Sequence, residues 1–231
     1  MTKHTISYAD EIFYGDAYFA PYNSAKGRRG VQITPSAWID IGAVVVADPD
    51  GLVLSVDPAS GATFSLRATV AGQTNTGGII TLDQARNVTI TTSADETTKS
   101  ILITGTDIYG TVMSERITGP NTTVASGKKA FKTITSIVAT GDMAALTIGF
   151  GDVLGLPFRI EDKNQIGVMF DGAADAATIV IGDATTATTT TGDVRGTIDL
   201  SGTLNGTKKV AVNFMKLNVT SKESLFGITQ A

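Results

Sequence analysis

The sequence predicts an all-β protein, and three features of its 231 residues carry that expectation. The first is alternation with period two: along 87–120, Val88, Ile90, Ile101 and Ile103 alternate with Thr, Ser and Lys, the pattern of strands with one buried and one wet face. The second is composition, since 35 Thr and 25 Gly suit half-buried strands, bulges and tight turns. The third is punctuation. Turn-type clusters break the apolar runs at strand-length intervals, and no stretch sustains helical periodicity over the length of a long helix.

Composition also limits the chemistry. A chain of this length can bury roughly 70–75% of the surface it exposes when unfolded, so a core needs no covalent staple. There is no Cys, which excludes a disulfide framework, a thiolate metal site and a Cys nucleophile. The single His, His4, stands near the N-terminus and offers little for imidazole catalysis or multi-histidine metal binding. A net charge of -4 with only 17% charged residues gives no electrostatic footprint for nucleic acid. No run approaches the ~20 apolar residues of a membrane span, and MTKHTISYADEIF lacks the apolar stretch of a secretory signal. The expectation is a soluble protein that stays, or assembles, where it is made.

Residues 1–40 read as an extended N-terminal arm. Tyr8, Phe13, Tyr14, Tyr18, Phe19 and Tyr22 crowd into it, and Gly15, Pro21 and the glycines of 27–30 argue for a strap over a helix across 8–14. These aromatics either cover the protein's own core or anchor it to a neighbouring subunit, where amphipathic Tyr is enriched. Lys26, Arg28 and Arg29 form the one dense basic cluster, a solvated loop or a contact for an acidic surface or a phosphate. These nine residues are the candidate partner-binding set.

The β pattern starts at Ile41. Runs at 43–47 and 52–56 flank Asp48-Pro49-Asp50-Gly51, which fits a type I turn and predicts a first hairpin. Asp48, Asp50 and Asp57 invite a calcium reading, but the spacing departs from the EF-hand loop and turn chemistry explains them better. Alternation over 62–69, a polar loop at 72–78 and a strand at 79–82 lead to the 87–120 stretch, where Asp107-Ile108-Tyr109-Gly110 predicts the turn of a hairpin. With 131–138 and 144–150, about eight strands accumulate, enough for a β-sandwich or jelly-roll-like main domain over 41–157.

The run 149–158 holds three Gly and one Pro in an apolar context, so the reading places a boundary or crossover there instead of a central strand. A second, smaller β unit over 158–231 follows, with strands at 167–170, 178–181, 194–200, 210–214 and 216–219. Asn205-Gly206 is a hairpin signal, the Thr-rich 184–192 a strand or exposed loop, and Thr220 with Glu223 a capping box for a last helical turn.

Catalytic signatures fail one by one. Gly127-Lys128-Lys129 lacks the earlier Gly of a phosphate loop and has Lys where Ser or Thr must bind magnesium. There is no Gly-x-Ser-x-Gly elbow, and His4 gives no support to a serine triad. Paired carboxylates cannot be read across strands from spacing. The reading is a protein that is not an enzyme, with no cofactor and no metal.

With Ile103-Thr-Gly-Thr-Asp-Ile-Tyr-Gly, Glu115-Arg-Ile-Thr-Gly-Pro-Asn, Lys128-Lys-Ala-Phe-Lys-Thr-Ile-Thr-Ser-Ile and Gly149-Phe-Gly-Asp-Val-Leu-Gly-Leu-Pro-Phe in view, the chain resembles β-rich virion structural proteins of tailed bacteriophages. Among them it looks most like a capsid decoration, or cement, protein, over roughly residues 87–158. The resemblance transfers no functional residues. It implies a capsid-surface location after assembly in the host cytoplasm, with the major capsid protein and neighbouring copies, as a dimer or trimer, for partners. A tail, neck or fibre-associated β module that binds a receptor or carbohydrate is the other reading kept open.

Overall fold

The computed structural model describes residues 37–214, and within them the protein is all-β. Every strand pairing is antiparallel. One sheet has four strands in the order β1 (Ala37–Ala43), β14 (Lys209–Phe214), β10 (Ile166–Phe170) and β11 (Ala173–Ala174). The other is a large curled sheet of ten. Its path runs β12 (Thr178–Ile181), β13 (Gly196–Asp199), β9 (Leu146–Gly155), β4 (Ile79–Thr91), β8 (Phe131–Ala139), β5 (Ser100–Thr106) and β6 (Val112–Thr118). Off that path β2 (Asp48–Val56) pairs with β9, while β3 (Gln73–Thr76) and β7 (Val124–Ser126) pair with β4.

The alternation that announced strands also set their faces. Along β5, Ile101 and Ile103 are buried, and across from them on β6 so are Met113, Glu115 and Ile117. The hairpin between them closes as expected: the Asp107 carboxylate accepts the Tyr109 and Thr111 N–H groups at 2.8 and 2.9 Å, an Asx-type turn built from one side chain.

Two apolar cores form. One gathers residues between Leu52 and Phe150, including Phe64, Val88, Ile90, Phe131 and Ile148. The other gathers Val44 with Leu154, Leu156, Ile160, Val168, Val210, Val212 and Phe214, and Phe158 meets Phe214 edge to face at 5.2 Å. Ile39 and Ile41 also pack on this second core, so Trp38, Ile39 and Asp40, expected in the arm, belong to β1.

Four expectations are corrected. First, 149–155 is not an interruption but the body of β9, which has β4 along one edge and β2 and β13 along the other. Its glycines are there for close approach. A β-carbon on Gly149 would run into the Asp48 carbonyl and the Pro49 backbone, and one on Gly151 into the Asn87 amide.

Second, Asp48-Pro49-Asp50-Gly51 does not close a hairpin; it is a bulged part of β2, with Asp48 opposite Phe150 and Val53 opposite Ile148. Of the preceding run 43–47 only Ala43 is in a strand, β1, which pairs with β14 in the other sheet, and 44–47 is the linker to β2.

Third, Asn205-Gly206 links the two sheets. Asn205 Oδ1 accepts the Thr207 and Lys208 N–H groups, and the Gly206 N–H donates to the Val44 carbonyl. Fourth, 62–69 forms no named strand. Its backbone bonds first to β8, through Gly61 N–H to Ala139 O and Phe64 N–H to Ile137 O, and then to β2, through Arg67 N–H to Leu52 O. The segment thereby bridges the curled sheet toward closure. The Thr-rich 184–192 is an irregular, largely exposed loop, whereas the capping box at Thr220 and the strand at 216–219 lie outside the described residues.

Candidate functional site: buried charge clusters and an open groove

The described residues bury several ionisable side chains, and each has a structural partner. Glu115, 3% exposed on β6, accepts the Lys128 N–H at 2.5 Å and the Lys129 N–H at 3.3 Å, so it clasps the turn before β8. Lys129 is fully buried, and its ammonium donates to the carbonyls of Ser114 and Thr188 at 3.0 and 2.9 Å. Asp193 accepts the Ala130 and Arg195 N–H groups at 3.1 and 2.8 Å. Arg195 pairs with Asp107 at 2.6 Å and stacks over the Tyr109 ring at 4.8 Å, while the Tyr109 hydroxyl donates to the Pro157 carbonyl. The Thr-rich loop is thus tied to β6, an attachment completed by the Arg116 N–H donating to Thr189 O.

Burial dominates the electrostatics here. It pushes the Glu115 carboxyl up to about 7 against the two N–H donors that oppose it, pushes Asp193 up and pushes Lys129 down. A carboxyl with so raised a pKa beside a Lys is a usual mark of a catalytic site. Here both oxygens of Glu115 are engaged by turn backbone, and the cleft of about 300 Å³ beside it is lined by Arg116, Ser126, Lys128 and Thr190. The geometry uses Glu115 to hold a turn.

A second cluster centres on Arg86, fully buried on β4. Its guanidinium donates to the carbonyls of Gly151 and Val45 at 2.7 and 2.8 Å, meets Asp83 and Asp152 at 3.4 and 3.3 Å, and lies 4.8 Å over the Phe150 ring. It fastens the 44–47 linker to β4 and β9. Neither cluster was legible beforehand: Arg86 falls in step with Leu82, Val88 and Ile90 on β4, Lys129 and Arg195 lie in loops, and what makes their burial possible is the partners brought by distant segments.

The acidic trio considered for calcium is dispersed. Asp48 and Asp50 face Arg67 at 3.6 and 2.6 Å, whereas Asp57 accepts the Ala145 N–H at 2.6 Å. Among the described residues no group of three or more His, Cys, Asp or Glu gathers around a metal-sized point. The Gly127-Lys128-Lys129 turn is occupied by Glu115 and not by a phosphate-sized opening. Tyr8, Phe13, Tyr14, Tyr18, Phe19, Tyr22, Lys26, Arg28 and Arg29 all lie outside the described residues.

An apolar groove of about 700 Å³ opens between the end of β2 and 58–70, lined by Leu54, Val56, Pro58, Ala62, Leu66 and Val70 among others. A smaller cleft of about 400 Å³ on the four-stranded sheet holds Trp38, 58% exposed, with Asp40, Met169 and Lys209. Among the described residues no helix is long and apolar enough to cross a membrane. Comparison with protein-family models, with curated proteins and with solved structures returns no match.

Proposed function

We propose that the chain is a non-enzymatic structural protein of a tailed-bacteriophage virion, a capsid decoration protein that binds the major capsid protein and stabilises the head. The observation that carries this reading is the way its buried charges are used. Glu115, Lys129, Asp193 and Arg86 each fasten loop backbone to a sheet and Arg195 pairs with the turn carboxylate of Asp107, so the polar interior serves rigidity. Large apolar side chains meanwhile stand exposed at strand ends and margins, among them Leu54, Val112, Val124 and Val180. A stiff body with apolar margins suits protein contact. The resemblance in 87–158 supplies the virion setting.

The test is co-sedimentation with purified capsids beside a melting curve. Deleting residues 1–25 is expected to leave a folded β protein that no longer joins the particle. Normal capsid binding by the stable truncated protein would remove the arm from the mechanism.

A second reading, a carbohydrate-binding tail or fibre module, draws on Trp38, an exposed indole flanked by a carboxylate and an ammonium. Glycan binding that is lost in Trp38→Ala would favour it.

A further inference from the structure

We propose that the groove between β2 and 58–70 is a socket for the aromatic stretch 8–22 of a second copy, so that copies join head to tail. The inference deepens the assembly reading above and rests on it in treating the chain as a building unit.

The groove is a gap in sheet closure. At Arg67 the bridging segment is bonded to β2, but at 61–64 it has moved across to β8. The two backbones therefore diverge beyond Leu52. Along β2 the burial changes at the same place: Leu52 and Val53 are 0% and 4% exposed, Leu54 and Val56 53% and 38%. The lining is apolar, and its two charged members are already engaged, Arg67 with Asp50 and Asp57 with the Ala145 N–H. A strand edge beside apolar pockets takes an extended segment with large side chains by β-augmentation. The volume is in the range that encloses several such side chains.

The chain carries a matching segment. Six aromatics fall between Tyr8 and Tyr22, and the fifteen residues from Tyr22 to Ala37 reach about 50 Å when extended. The exit and the socket lie on different cores. Ala37 pairs with Phe214 on the sheet of the second core, whereas the groove flanks the first core, where Val56 faces Leu146. The far end of β9, at Leu154 and Gly155, is the end that meets β13 and the second core. A donor at one end and an acceptor at the other make a heterologous contact, which closes into rings or grows into filaments.

The experiment measures the mass of the full chain by sedimentation equilibrium, without capsids, up to on the order of 100 µM. The wild type is expected to associate with rising concentration. Leu54→Arg with Val56→Arg, both at exposed positions, should raise the half-association concentration at least tenfold while leaving the melting temperature within a few degrees. Ala59→Arg, also exposed, serves if the double variant does not fold. Full-length Phe13→Ser, Tyr14→Ser, Tyr18→Ser, Phe19→Ser should be monomeric as well. Mixing the groove variant with the arm variant should restore a one-to-one pair that grows no further, since each supplies what the other lacks. A wild type that stays monomeric overturns the proposal, whether the arm folds back on its own groove or a capsid segment fills it. So does a groove or arm variant that associates like the wild type, or a mixture that does not pair. Self-association is read apart from capsid binding, so either reading can fail while the other stands.

Discussion

Replacing Glu115 by Gln should flatten the pH dependence of stability between pH 5 and 8. In the folded protein burial raises this carboxyl from its ordinary 4.5 to about 7. The folded state therefore holds the proton more tightly than the unfolded chain does. Stability from this group is fully present below pH 4.5 and is lost as the pH rises through about 7. At about 1.4 kcal/mol per pH unit, the span from 4.5 to 7 corresponds to a loss of about 3 kcal/mol. Asp193, also raised by burial, pulls in the same direction. Asp193 is present in both proteins, so the difference between wild type and Glu115→Gln reads Glu115 together with its coupling to Asp193 and Lys129. The variant also gives up one acceptor facing the Lys128 or Lys129 N–H, a cost of about 1–3 kcal/mol that lowers its stability most visibly at low pH. The assay is urea denaturation at half-unit pH steps. The two curves are expected to converge, or cross, as the pH rises. Parallel curves from pH 5 to 8 would show that Glu115 titrates at its ordinary value and that the turn is not held as described.

Three further outcomes are expected. Phe150→Ala removes a fully buried ring that Arg86 covers and against which Gly51 and Gly72 pack, and it should cost about 3–5 kcal/mol, lowering the melting temperature by about 6–20 °C; a loss below about 1 kcal/mol would contradict the packing of β9. Asp107→Ala leaves Arg195 buried without its carboxylate and opens the β5–β6 turn, so a loss of about 3–5 kcal/mol is expected in thermal unfolding, and an unchanged melting temperature would refute the role of the pair. Limited proteolysis should spare 149–155, which is paired on both edges, and a native-state fragment ending inside that span would contradict the sheet order.

Period-two alternation, Thr and Gly content and turn punctuation are enough for the all-β class. Alternation in Ile101 and Ile103 settles which side of β5 is buried, and Asp107 with Gly110 settles the turn between β5 and β6, because both depend on residues within one hairpin. The tertiary structure decided which strands meet. Asp48-Pro49-Asp50-Gly51 and Asn205-Gly206 have the chemistry of hairpin turns, yet β1 pairs with β14 across some 170 residues of chain, and the turn residues serve instead as a bulge and a link between sheets. Gly149 and Gly151 look like breaks because nothing local shows the Asp48 carbonyl or the Asn87 amide that occupies the space of their missing β-carbons. The charge clusters follow the same logic. Arg86, Lys129 and Arg195 are ordinary polar residues in their own strands and loops, and only the approach of carbonyls and carboxylates from distant segments makes their burial tolerable.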